Sequence, residues 1–223
     1  PPDLTKDFKG VKLIYKLLPL EVGLINFWNF YEVIFEKAPL DELEENWFVE
    51  KIATRRRFYD AAKRIADIFL AAALSLVFLL PAVLISLLIK ISSKGPIVYA
   101  QKRVGKNGRL FTLYKFRTMR NENNGPLWTE MQDNRITKVG KFLRFTHLDE
   151  LPQLVNIIKN DIYFIGPRPE RTELAEKYRK FSYYEIRHVV KPGLTGWAQI
   201  NYKPSASLEE AQEKLRYDIY YIK

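Results

Sequence analysis

The chain has 223 residues, 47% hydrophobic and 14% aromatic, enough for one core-bearing domain with extensions. It holds no cysteine, which excludes a disulfide framework and thiolate chemistry, and its two histidines, His147 and His188, lie too far apart in sequence for a histidine-rich zinc site. The net charge of +10 is unevenly placed: residues 1–50 hold ten acidic and five basic side chains, so the remainder carries +15 and favours nucleic acid, phosphorylated metabolites or an anionic membrane surface.

The chain opens Pro1-Pro2-Asp3 without an initiator methionine and stops at Lys223 inside a helical pattern, which reads as a piece of a longer protein. Short apolar runs in residues 1–20, such as Val11-Lys12-Leu13-Ile14-Tyr15, predict a strand or two. Residues 21–37 are aromatic and 41–50 acidic, with no catalytic pattern, and residues 1–54 read as the tail of a preceding domain and a linker. Residues 55–91 read as a basic flank and a membrane-associated helix. From Ile68 to Ile89 there are 22 residues without a charge, interrupted only by Ser75, Pro81 and Ser86. A straight helix of that length covers about 33 Å, enough to cross a hydrocarbon core of about 30 Å. Pro81 should break it into arms of about 20 and 12 Å, and basic residues flank both ends (Arg55, Arg56, Arg57, Lys63 and Arg64 before; Lys90, Lys94, Lys102 and Arg103 after). A buried core helix, a single span and a re-entrant helix that dips into one leaflet and returns all remain open on these grounds.

Residues 92–223 form the third segment. Ile97–Ala100 and Leu110–Tyr114, joined through Asn107-Gly108, predict a hairpin. Its second strand delivers Lys115 and Arg117 on alternate positions, hence one face, at the entrance to a loop. Residues 121–134 are polar and loop-like, either a lid or a connection. Ile136 to Phe145 predicts a basic amphipathic helix with an aromatic face, suited to a core or to a membrane surface. Then comes Leu148-Asp149-Glu150-Leu151-Pro152-Gln153: two adjacent carboxylates where a helix should begin. Asp149 is expected at or near the N-cap, with Pro152 in the first turn. Lys141, Arg144 and Arg168 bracket the pair, the last in the rigid turn Gly166-Pro167-Arg168-Pro169. Residues 171–189 look helical, 191–197 turn-rich. Ser207 to Lys223 predicts a helix with a Ser207/Glu210 capping box, an apolar stripe of Leu208, Ala211, Leu215, Ile219 and Ile222, and interfacial tyrosines at 217, 220 and 221.

From about Arg56 to Lys223 these motifs resemble the bacterial sugar transferases, the monotopic phosphoglycosyl transferases or polyprenyl-phosphate hexose-1-phosphate transferases. The resemblance is carried, in order, by Lys63-Arg64-Ile65-Ala66-Asp67, the apolar stretch with Pro81, Gln101-Lys102-Arg103-Val104-Gly105, Tyr114-Lys115-Phe116-Arg117-Thr118-Met119, the Asp149-Glu150 segment, Gly166-Pro167-Arg168-Pro169 and Lys191-Pro192-Gly193-Leu194-Thr195-Gly196. It implies an α+β, mostly helical monotopic membrane protein with a re-entrant helix broken at Pro81, interfacial amphipathic helices and a small β-hairpin. The catalytic domain, residues 92–223, would lie on the cytoplasmic face of the bacterial inner membrane, among membrane lipids. The implied reaction moves a sugar 1-phosphate from a nucleotide sugar, usually UDP-linked, to undecaprenyl phosphate, with Mg²⁺. Asp149 would be the nucleophile and Glu150 its partner at the metal; Lys115, Arg144 and Arg168, with Arg117 beside them, would meet the phosphates. No nucleic-acid partner is implied, and homo-oligomerisation is left open. Two departures from the family pattern are Leu80, where a serine often precedes the proline, and His147, where a serine is also common. Sugar specificity should lie in loops such as 120–134 and 201–207. A membrane-anchored nucleic-acid binder would use the same basic body but leave the carboxylate pair and Pro81 without a role; a single-span structural protein would put residues 92–223 on the side opposite residues 1–60.

Overall fold

The structure, a computed structural model, describes residues 27–43, 45–52, 57–120 and 135–223, with a few isolated positions before residue 27. Of the apolar run 11–15 only Lys12 and Tyr15 are among them, and both are helical rather than extended. The loop expected over residues 121–134 lies outside the described residues. Helices α1 (Phe27–Phe35) and α2 (Glu45–Ile52) come first. The segment around them packs on the end of the chain: Ala38, Leu40, Leu43, Trp47 and Phe48 share one apolar cluster with Leu174, Tyr178, Ala211, Leu215 and Ile219.

The uncharged stretch folds as two helices, α3 (Arg57–Val77) and α4 (Leu79–Ser92), bent by 61° at Phe78. The bend lies one turn ahead of the expected position, Pro81, and the reason is local. Pro81 has no N–H to offer the Val77 carbonyl four residues back, and its ring crowds that turn, so the helix yields upstream of the proline. Pro81 then becomes the third residue of α4, inside the first turn where N–H groups lack helical acceptors anyway. The hydroxyl missing at Leu80 is not needed: Phe78 N bonds Leu74 O and Ala82 N bonds Phe78 O, both at 2.8 Å, closing the backbone on either side. With 21 and 14 residues the arms are about 31 and 21 Å long. No single described helix is long and apolar enough to cross a membrane; the bent pair from Phe58 meets that test by length and composition.

The hairpin forms as expected and runs further. Strands β1 (Val98–Val104) and β2 (Leu110–Phe116) pair antiparallel, Val98 opposite Phe116 and Val104 opposite Leu110. At the tip Asn107 and Gly108 both take positive φ, 54° and 74°, the conformation for which Asn-Gly is suited. Helix α5 (Lys138–Phe145) follows, its N-cap Thr137 accepting from Gly140 N at 2.9 Å. Helix α6 is Gln153–Ile158. Strand β3 (Tyr163–Ile165) pairs in parallel with β4 (Gly193–Thr195), a pairing the sequence did not announce; helix α7 (Thr172–Tyr178) lies in the crossover between them. A short helix α8 (Trp197–Asn201) leads to α9 (Leu208–Ile222). The capping box holds: Ser207 Oγ accepts from Glu210 N at 3.2 Å.

Two features of the Lys63–Asp67 motif fasten α3 to this body. Arg64 donates to the carbonyls of Ile157 and Ile158 at 2.5 and 2.9 Å, satisfying the open C-terminus of α6, and Asp67 accepts from Phe164 N at 3.4 Å. Asn156, fully buried, ties α6 to the edge of β2: its amide accepts from Tyr114 N at 3.1 Å and donates to Thr112 O at 2.7 Å.

Candidate active site

The carboxylate pair does not cap a helix as the sequence suggested. After α5 the chain reverses at His147, which takes a left-handed conformation with φ 57°. Leu148–Glu150 then make one tight 3₁₀ turn, with Glu150 N on His147 O at 3.1 Å and Leu151 N on Leu148 O at 3.3 Å. Pro152, without an N–H, cannot extend that turn in the same register, and α6 starts only at Gln153. The six-residue helix therefore contributes no anion-binding N-terminus. The pair instead stands on a sharp corner between α5 and α6.

Cations from three separate segments meet at this corner. Lys115, at the end of β2, donates to Glu150 Oε1 at 2.5 Å, and Arg168 donates to the same oxygen at 2.7 Å. Burial alone would push the Glu150 carboxyl up; Arg168 and Lys115 outweigh it and hold the group at about 2. Asp149 behaves oppositely. It is 8% exposed, and burial, with the like charge of Glu150, pushes its carboxyl above the ordinary value against the pull of Lys115 and Arg144. Burial and through-space charge are the largest influences on the Asp149 carboxyl. One carboxylate is thus paired with two cations while its neighbour pairs with none among the described residues, in a site ringed by positive charge.

Two of the three cations, Arg144 and Arg168, are held from behind. Arg144 donates from Nε to Thr118 Oγ1 at 2.9 Å. Its helix lies so close to Thr118 that a Cβ at Gly140 would sit 2.0 Å from the Thr118 carbonyl oxygen. Arg168 sits in a loop crossed by the 191–196 segment: Gly166 N bonds Thr195 O and Gly193 N bonds Pro167 O, both at 2.9 Å, and a Cβ at Gly193 would fall 2.1 Å from Gly166 N. Beneath it Arg187 donates to the Arg168 carbonyl at 2.9 Å and to Asp218 at 2.8 Å. Glu170, next in the loop, meets Lys214 at 2.6 Å and Arg187 at 3.4 Å; despite burial these cations, Lys214 foremost, hold it at about 2. Arg103 completes the clamp on the Pro169 carbonyl at 2.9 Å.

The structure therefore gathers Asp149, Glu150, Lys115, Arg144 and Arg168, and sends Arg117 elsewhere. Arg117 is 6% exposed, its guanidinium turned to the end of α4, where it donates to Ser93 O at 2.6 Å and Ser93 Oγ at 3.0 Å. Alternation put Lys115 and Arg117 on one face, but β2 ends at Phe116 and the chain turns between them. Sequence reasoning missed Arg187, Glu170 and Asp218. The last was legible: position 218 falls beside 211, 215, 219 and 222 on the helical stripe, so a carboxylate there had to be buried and needed a cation. Among the described residues no three His, Cys, Asp or Glu side chains converge on a metal position; Asp149 and Glu150 are a two-carboxylate set.

Residues 58–223 match the family model described as bacterial sugar transferase. The chain is 38% identical over 196 residues to a UDP-N-acetylgalactosamine-undecaprenyl-phosphate N-acetylgalactosaminephosphotransferase of Aeromonas hydrophila, covering 86% of this chain and 46% of that protein. It is 40% identical over 166 residues to a UDP-glucose:undecaprenyl-phosphate glucose-1-phosphate transferase of Escherichia coli K12, covering 72% of this chain and 36% of that protein. A protein of the same description from Caulobacter vibrioides is 37% identical over 168 residues, covering 73% and 63%. The chain thus spans less than half the length of the first two relatives. The matched region contains the whole corner built by Lys115, Arg144, Asp149, Glu150 and Arg168, and the chain belongs to the bacterial sugar transferase family.

Proposed function

We propose that this chain transfers a sugar 1-phosphate from a UDP-sugar to undecaprenyl phosphate, an early membrane step in building a polysaccharide or glycoconjugate. The observation that carries the reading is the division of labour in the pair: Glu150 is neutralised by Lys115 and Arg168, while Asp149, one residue away, pairs with no cation among the described residues and stands among the same positive charges. Its oxygens can attack phosphorus without first breaking an ion pair.

In the first step an Asp149 oxygen bonds to the β-phosphorus of the donor. The bond from that phosphorus to the bridging oxygen breaks, and UMP leaves with that oxygen and the electron pair. In the second step an oxygen of the acceptor phosphate bonds to the same phosphorus and the Asp149 carboxylate departs. The products are the lipid diphosphate sugar and the free enzyme, with no net proton consumed. Arg144, Lys115 and Arg168 offset the repulsion between an anionic nucleophile and an anionic phosphate and stabilise charge on the transferring group. Mg²⁺ suits this donor set, since it takes one or two carboxylates and fills its shell with water and substrate phosphate. Asp149 and Glu150 would hold it, and it would supply further charge neutralisation at the diphosphate.

The bent pair α3–α4 fits a helix that enters one leaflet and returns, which would keep the domain on the cytoplasmic face of the bacterial membrane where a soluble donor and a lipid acceptor can both reach it. Phe142 and Phe145 on α5, 60% and 87% exposed, offer a second contact with the lipid surface. The relatives' names differ in the sugar, so the donor is found by assay: UMP release from a panel of UDP-sugars with Mg²⁺ and undecaprenyl phosphate, by this protein and by Asp149→Asn. Release with one donor, abolished in the variant, supports the reading. Equal release by the variant removes Asp149 as nucleophile.

A further inference from the structure

Residues 27–43 and 45–52 lie outside the stretch that matches the family model, yet they grip the body closely. Helix α1 closes at Glu36, which takes a left-handed φ of 52° and donates its N–H to Glu32 O at 2.9 Å. That conformation is uncommon for a residue with a side chain. Trp197 secures it, its Nε1 donating to the Glu36 carbonyl at 2.9 Å. Pro39 disfavours helix at Ala38, so the chain leaves α1 and meets α9. Ala38, 0% exposed, donates its N–H to Arg216 O at 3.0 Å. Lys37 pairs with Glu213, and Asp41 with the Arg216 guanidinium.

The other side of α9 holds the supports of Arg168. At about 3.6 residues per turn, Glu213 and Arg216 share one face, and Lys214 and Asp218 face roughly the opposite way. Lys214 meets Glu170 at 2.6 Å; Asp218 meets Arg187 at 2.8 Å, and Arg187 also donates to the Arg168 carbonyl. The same N-terminal segment reaches the element that carries Arg187. Tyr183 Oη donates to Leu43 O at 2.9 Å, and Phe48 of α2 packs on the Tyr183 ring, centroids 4.4 Å apart. The 3₁₀ turn Tyr184–His188 follows, in which Arg187 Nη1 donates to Tyr184 Oη at 3.4 Å. Arg187 is thus held between α9 and this turn, and the N-terminal segment grips both.

We propose that the segment from Glu36 to Leu43, together with Phe48, is a positioning strap: it clamps α9 to residues 183–188 and so fixes Arg187 and, through it, the backbone of Arg168. Its bearing on turnover rests on the transferase reading, in which Arg168 meets the transferring phosphate. The strap supplies no group to the reaction. It limits the movement of the loop whose Arg168 side chain meets Glu150 at 2.7 Å, and a small displacement there lowers rate more than affinity.

The test uses the full chain in lipid nanodiscs, read by hydrogen exchange with mass spectrometry. Lys37→Glu/Asp41→Lys turns both ion pairs into repulsions without changing net charge. Adding Glu213→Lys/Arg216→Glu restores each pair, and the Glu213–Arg216 pair on α9, with signs reversed. Ala38→Asp puts an unpaired charge at a fully buried position and releases the segment by another route. Lys51→Glu, exposed on α2, is the control. The two-residue variant and Ala38→Asp should raise exchange at least fivefold in residues 36–43, 164–170 and 185–196 and leave the β1–β2 hairpin unchanged. The four-residue variant and the control should match wild type within twofold. Faster exchange in 36–43 without any change at 164–170 overturns the strap, and so does unchanged exchange in 36–43 or a four-residue variant that does not recover. Should Ala38→Asp misfold, seen as faster exchange in the hairpin as well, the charge variants decide. UMP release is read in parallel: kcat should fall about fivefold in the two-residue variant, with KM for the UDP-sugar within twofold, and recover in the four-residue variant. A loosened 164–170 loop with full kcat overturns the positioning role. Absence of UMP release by wild type with every donor would count against the transferase reading; the exchange result decides the strap by itself.

Discussion

Replacing Glu150 by Gln keeps the side chain's shape and removes its charge, and the consequence can be sized. Glu150 ordinarily titrates at 4.5 and is held at about 2 here. At about 1.4 kcal/mol per pH unit that difference is worth about 3 kcal/mol, shared between Arg168 and Lys115. The side chain is only 13% exposed, so solvent screens this little. Because the folded value is the lower one, the stabilisation is complete above pH 4.5 and fades as pH falls toward 2. Linkage puts about 2 kcal/mol of it already lost at pH 3. Glu150→Gln lacks this contribution at every pH. Urea unfolding followed by pulse proteolysis in detergent micelles should therefore show wild type more stable than Glu150→Gln at pH 7, with the gap closing by about 2 kcal/mol at pH 3. Carboxylates remote from Glu150, Glu170 included, are common to both proteins and cancel in the difference; Asp149, which loses the like charge of Glu150 in the variant, is removed by making the comparison in an Asp149→Asn background. A gap that stays constant from pH 7 to pH 3 would refute the claim that Lys115 and Arg168 hold Glu150 ionised, and with it the division of roles within the pair.

Gly193→Ala should cost about 1–3 kcal/mol by overpacking and abolish turnover, because a methyl 2.1 Å from Gly166 N cannot fit without moving the loop that carries Arg168; thermal unfolding and the UMP assay read the two effects separately, and a fully active variant would contradict the crossing. Arg187→Lys keeps a charge for Asp218 but has one nitrogen in place of two, and the shorter reach cannot hold the Arg168 carbonyl and Asp218 on one side while meeting Glu170 and Tyr184 on the other. Turnover should fall about tenfold with KM for the donor little changed, an outcome a purely stabilising role would not produce. Asn156→Leu leaves the Tyr114 N–H and Thr112 C=O without their partner, and a stability loss of about 2–3 kcal/mol is expected by urea titration; a loss below 0.5 kcal/mol would show that those groups find other partners.

Local rules made the hairpin, α5 and α9 legible, through Asn107-Gly108 at the turn, the amphipathic pattern of residues 136–145 and Ser207 at its cap; the Thr137 cap that starts α5 two residues later than that pattern emerged only in the structure. The catalytic corner was legible in its membership but not in its form. Asp-Glu before a proline reads as a helix start because N-caps obey that pattern, yet Pro152 also ends whatever precedes it, and a left-handed His147 lets a separate 3₁₀ turn precede α6. Lys115 and Arg117 obey the same alternation; only where β2 stops separates the one that meets Glu150 from the one that closes the end of α4. What sequence periodicity cannot express is the long-range fit: the β3–β4 pairing across a crossover, and glycines at 166 and 193 that exist to let two backbones touch. The same reasoning explains why the bend lies at Phe78. The proline names the break, but the strain is relieved at the carbonyl it fails to satisfy, one turn earlier. With the bend there, Phe78 lines an apolar groove together with Leu151 and Pro152, the two residues that directly follow the Asp149–Glu150 turn.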